Sequence, residues 1–232
     1  MKVIGNKKEF SIEYELFPSE GEDEILWDQL HGILAVYVKN KNICRYSYNG
    51  EECDFEGVLF YIVEWLCENL SNILGYDPYP LPVEGNNLLE LIDSANTFDT
   101  DDEIEEHLWF SSEWKWKYRH SWSAVATSAI PNAFFRRSGD MIEISWDNDP
   151  SGEEGDPVFM FMTGTESVEL ELFRTTVLDF LIDLFGNVKF NNGEDGFIVQ
   201  EWIGWLRTLI TNPTTDEAAQ KILEECEKVL EE

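Results

Sequence analysis

The chain has 232 residues, 43% of them hydrophobic and 14% aromatic, with 47 acidic against 16 basic side chains and a formal charge of −31. That length and apolar content supply a sizeable core and exclude a disordered acidic tail. The charge argues against direct binding to nucleic-acid backbones, whose affinity rests on Lys and Arg neutralising phosphates, and against attraction to anionic membrane surfaces.

The opening "MKVIGNKKEFSIEYELF" has no apolar leader core and no small-residue cleavage site, so the cytoplasm is the expected compartment. Within it, Phe10, Ile12, Tyr14 and Leu16 alternate with polar residues, the two-residue period of a half-buried strand. In "GILAVYVKNKNICRYSYNGEE" the "KNKN" offers a tight turn between two strand-like runs. Asp54 is placed to cap a helix running from Glu56 to Leu74 and closed by Gly75. Val58, Leu59, Phe60, Ile62, Val63, Trp65, Leu66 and Leu70 make that helix apolar on nearly every side, as a central buried element is. Glu64 and Glu68 interrupt its apolar run, so it is not a membrane span.

A proline-rich connection, "GYDPYPLPVEGNN", leads to the acidic run of "DSANTFDTDDEIEEHLWF". Next, "SSEWKWKYRHSWSAV" holds three of the nine tryptophans beside Lys115, Lys117, Arg119 and His120. Trp114, Tyr118, Trp122 and Val125 share one helical face, which predicts that they point inward and pack beside the next hairpin, with Arg119 and His120 reaching a surface or a buried acid. That hairpin lies in "IPNAFFRRSGDMIEISW": Phe134 and Phe135, a turn at Ser138-Gly139-Asp140, then Ile142, Ile144 and Trp146 alternating. "NDPSGEEGDP" has the composition of a loop, and "VFMFMTG" reads as a strand.

From Thr165 onward the pattern is helical. Leu170, Phe173, Val177, Phe180, Leu181 and Leu184 mark one amphipathic helix, a second covers Asp195 to Ile210, and a third is capped by Thr214 and Glu217. The expected fold is therefore α+β: a mostly antiparallel sheet, one buried helix early and a helical C-terminal part. Residues 1–163 form the α+β core and 164–232 are helices packed on the same domain.

Signatures of chemistry are sparse. His31, His107 and His120 are far apart with no HExxH, and Cys44, Cys53, Cys67 and Cys226 form no CxxC pair, so no metal is expected. Cys67 and Cys226 lie in helical apolar patterns, as buried free thiols do. "NNGEDGFIVQEW" imitates a calcium loop but has Trp202 where the bidentate Glu belongs. There is no GxSxG, no cysteine next to a histidine and no Gly-rich phosphate loop, so no catalytic residue and no cofactor is expected.

The middle of the chain resembles uncharacterised bacterial proteins of mobile elements and defence-type gene neighbourhoods, which stand alone or precede a zincin-type peptidase domain. The resemblance runs through "GILAVYVKNKNIC", "VEWLCENLSNIL", "RHSW" and "IPNAFFRRSGDMIEISW", over residues 30–150. It implies a prokaryotic or phage setting and a non-catalytic recognition or regulatory role. With the acidic, aromatic-rich composition, it leads to the expectation of an interaction protein in bacterial anti-phage defence, steered toward a protein partner with a basic surface. The partner-binding candidates are Arg119 and His120, the acids Asp99, Asp101, Asp102, Glu103, Glu105 and Glu106, and Asp147, Asp149, Glu153 and Glu154. Two alternatives stay open: a phage-type DNA mimic that blocks a nuclease or restriction complex, and a carboxylate hydrolase using a divalent metal. The oligomeric state is not set by any of these features.

Overall fold

Alternating apolar and polar residues build the first sheet. The computed structural model describes residues 1–18, 30–122, 130–148 and 157–188. Strand β2 (Phe10–Phe17) buries Phe10, Ile12 and Tyr14 and lies between β1 (Lys2–Asn6) and β3 (His31–Val38), antiparallel to both. Lys39 and Asn40 both take positive φ, the requirement of a two-residue hairpin turn, and return the chain into β4 (Lys41–Asn42) against the end of β3. Asn49 and Gly50 repeat the device between β5 (Tyr46–Tyr48) and β6 (Glu51–Cys53).

The early helix starts later than its apolar pattern suggests. Residues Phe55–Val58 form strand β7 on the edge of β3, and α1 spans Phe60–Leu74. Phe55 and Gly57 are buried while Glu56 and Val58 are exposed, so the local period is two. Asp54 is not the cap: its carboxylate accepts hydrogen bonds from Asn42 Nδ2 and Arg45 Nε, both at 3.0 Å. Gly75 does close the helix, and Ile62, Val63, Trp65, Leu66, Cys67, Leu70 and Ile73 are all buried, so α1 is the central element expected. Cys67 is buried, as is the Cys44 thiol, whose pKa burial pushes up to about 12. Cys226 lies outside the described residues.

Two further helices follow, α2 (Leu88–Ala95) and α3 (Glu103–His120). The hairpin forms as its sequence requires: β8 (Ala133–Ser138) and β9 (Met141–Asp147) pair in register across Gly139, whose φ is +62°. Its two faces divide the interior. Ala133, Phe135, Ile142 and Ile144 join the main core with α1 and β2, whereas Phe134 packs in a smaller cluster with Leu88 of α2 and Trp116 of α3.

The strand expected in "VFMFMTG" is broken in two. Val158 and Phe159 form the short β10 beside β5, and β11 spans Thr163–Glu169. The helical pattern expected from Thr165 begins only at Leu170, because Thr163 to Glu169 are a strand that pairs with β9 along its whole length. An open seven-residue edge and the β-branched Thr163, Thr165 and Val168 favour a strand there. Helix α4 (Leu170–Phe185) begins where the apolar spacing does, and buries Phe173, Val177, Phe180, Leu181 and Leu184 in the main core. The fold is α+β with antiparallel sheets. The helices expected beyond residue 189 lie outside the described residues. Among the described residues no helix is long and apolar enough to cross a membrane.

Candidate functional site

Helix α3 starts on acids and ends on bases. Asp102 is its N-cap, its carboxylate accepting the backbone N–H groups of Ile104 and Glu105, and Glu103, Glu105 and Glu106 fill the first turn. Lys117, Arg119 and His120 fill the last, so both ends complement the helix dipole. Asp99, Asp101, Asp102, Glu103, Glu105 and Glu106 all lie exposed at this end.

The C-terminal half of α3 docks inward through polar tips. Trp116 is fully buried and donates Nε1–H to the Asp77 carbonyl at 3.1 Å. Its ring stacks on His120, centroids 3.9 Å apart. Nδ1 of His120 lies 2.9 Å from the Trp116 carbonyl, which can only accept, so Nδ1 carries the proton. His120 is 1% exposed, and burial holds its imidazole below its ordinary range against the raising influence of that carbonyl and of Asp77. Arg119 donates Nε–H and Nη2–H to one oxygen of Asp77, at 3.1 and 2.9 Å. Glu113, also buried, accepts from the Tyr79 hydroxyl at 2.6 Å and pairs with Lys117 at 2.8 Å. Desolvation and that carboxylate raise the Tyr79 phenol far above its usual value. Above Asp77 and Arg119 is an open depression of about 430 Å³, also lined by Ser71, Asn72, Gly75 and Tyr76.

The inward face of α3 is therefore Glu113, Trp116 and His120, and the expected face is overturned. Trp114 is 65% exposed and Tyr118 37%. Trp122 is buried beside Phe135, at 5.0 Å, with its Nε1–H on the Pro131 carbonyl, but it lies beyond the helix, which ends at His120. Val125 lies outside the described residues. The polar ends of Glu113, Trp116 and His120 find partners in the Asp77–Tyr79 segment and on α3 itself, so these residues bury and the apolar row turns out. Ile104, Leu108, Trp114 and Tyr118 consequently form an outward stripe opposite the core, with Phe110 at its flank, and the Trp114 and Tyr118 rings stack at 5.8 Å.

Arg119 and His120 do reach a carboxylate, that of Asp77, as expected. The acidic candidates sit at the other end of α3, about 25 Å away at 1.5 Å per residue. Asp147 lies half-buried at the end of β9, whereas Asp149, Glu153 and Glu154 lie outside the described residues. Asp77, Tyr79 and Glu113 were missed. Asp77 and Tyr79 sit in the proline-rich connection, and nothing in their local pattern pairs them with a helix some 40 residues away. Among the described residues no three His, Cys, Asp or Glu side chains converge as metal ligands.

These features define an α+β chain with antiparallel sheets that carries a long surface helix with an apolar outer face between charged ends. The chain belongs to the family described as "Family of unknown function (DUF5984)", whose profile matches residues 20–189. No curated protein and no solved structure matches it.

Proposed function

We propose that the chain is a non-catalytic protein–protein interaction module and that the outward face of α3 is its contact surface. The observation that carries this reading is the exposure of Ile104 (73%), Leu108 (60%) and Trp114 (65%) on one helix that already has a complete docking face on its other side. Exposed aromatic and aliphatic side chains grouped on one element mark recognition surfaces, and Trp and Tyr are the usual anchors of such contacts. The acids from Asp99 to Glu106 adjoin this stripe and would steer basic groups of a partner toward it. The resemblance of the middle of the chain supports a setting in bacterial anti-phage defence.

The test is a photo-crosslinking amino acid at Trp114 in the native host, with the same probe at the exposed Glu171 of α4 as control. A discrete protein adduct at position 114, lost on Leu108→Ser, is the expected result. Equal adducts at both positions, or none, would remove α3 from the reading. Capture of a nuclease or restriction subunit that DNA competes away would select the DNA-mimic alternative.

A further inference from the structure

We propose that the occupant of the α3 face is a second copy of the chain, laid antiparallel across it. This rests on the interaction reading above and names the partner. The outward stripe is close to a palindrome about Ser111. An antiparallel pair centred there brings Ile104 of one copy to the level of Tyr118 of the other, and Leu108 to the level of Trp114. Each aliphatic side chain thereby meets an aromatic one. Ser111, small and half-buried, sits at the crossing, where a short side chain lets two helices approach to about 8–10 Å between axes.

Charge decides between this occupant and a basic helix from another protein. The helix is acidic at the end of the stripe that bears Ile104 (Glu103, Glu105) and basic at the end that bears Tyr118 (Lys117, Arg119), and these side chains flank the stripe. A uniformly basic helix satisfies the first end and is repelled at the second. A second α3 running the opposite way satisfies both, because it sets Lys117 and Arg119 of one copy beside Glu103 and Glu105 of the other. Lys117 and Arg119 keep 29% and 37% of their side-chain surface exposed while paired with Glu113 and Asp77, so they remain within reach of a second carboxylate. This is the self-complementarity that a two-fold interface requires. Two chains of −31 repel at long range, but at 0.15 M ionic strength that repulsion is screened beyond about 8 Å. A single helix pair lies at the small end of specific interfaces, about 1,200 Å² or less in total, so the dimer should form at micromolar concentration.

The experiment is sedimentation velocity from low to high micromolar concentration at physiological salt, on the parent, Trp114→Ala and Leu108→Ser, each checked for an unchanged melting temperature. The parent should show a monomer–dimer equilibrium, and each substitution should weaken it by about tenfold or more. In parallel, Ser111→Cys in a Cys53→Ser, Cys226→Ser background should give a disulfide-linked dimer under mild oxidation, because a residue on the two-fold axis meets its own counterpart. His107→Cys, off that axis, should crosslink far less. A monomer at every concentration, a dimer indifferent to both substitutions, or stronger crosslinking at 107 than at 111 overturns the proposal. A monomer whose position-114 probe still captures another protein removes only the second copy; a monomer whose probe captures nothing removes the interaction reading too.

Discussion

Trp114 and Trp116 stand two positions apart on α3, hence about 200° apart around its axis, and their consequences for stability diverge accordingly. Trp116 is fully buried with its Nε1–H satisfied, so Trp116→Ala should cost about 3–5 kcal/mol in denaturant unfolding. Trp114→Ala, at 65% exposure, should stay within about 0.5 kcal/mol of the parent. Equal losses would mean that α3 is rotated from the orientation described. His120 carries a pH prediction. Burial holds its folded-state pKa below the unfolded value of about 6.5, so the unfolded chain takes the proton more readily. The stability that His120 contributes is complete above that value and is lost as pH falls below it. Urea midpoints measured on either side of it should therefore drop on acidification, and His120→Gln should flatten the drop. An unchanged drop in the variant would place the effect on other groups.

Among the elements, the β8–β9 hairpin was the most legible, since alternation and a Gly-Asp turn both act over a few residues. Gly139 has φ +62° and open space where a Cβ would stand, so Gly139→Ala should cost about 1 kcal/mol from backbone conformation alone. A neutral outcome in chemical denaturation would show that the turn relaxes. Helix α1 was legible in its body and not in its start, because Phe55–Val58 is drawn into the sheet by the free edge of β3. β11 was misread for the same kind of reason: Thr163–Glu169 borders a helix in sequence, but β9 supplies a partner for all seven residues. The inverted phase of α3 is a different failure. Hydrophobicity alone assigns Glu113 and His120 to solvent, whereas Tyr79, Lys117, Asp77 and the Trp116 ring and carbonyl compensate their burial.

At the scale of the whole molecule, net charge sets the electrostatics. Carboxylates in excess destabilise the compact state by self-repulsion. Raising NaCl from about 0.01 to about 0.15 M shortens the screening length from about 30 to about 8 Å. The melting temperature should rise by about 2–4 °C for each kcal/mol of repulsion relieved. A fall would mean that pairs such as Lys7–Glu13 and Lys41–Glu166, which salt weakens, outweigh the repulsion.

Composition, strand alternation, turn residues and the apolar bodies of α1 and α4 follow from the sequence by itself, since each depends on neighbours within a few residues and on the sign of the net charge. The choice of strand over helix at 163–169, the start of α1 and the outward aromatic face of α3 were decided only by tertiary structure. Each depends on a partner distant in the chain: the edge of β9, the edge of β3 and the Asp77–Tyr79 segment. Local periodicity records how apolar a residue is. Whether a polar side chain can be buried is set by the donors and acceptors that the rest of the fold brings to it.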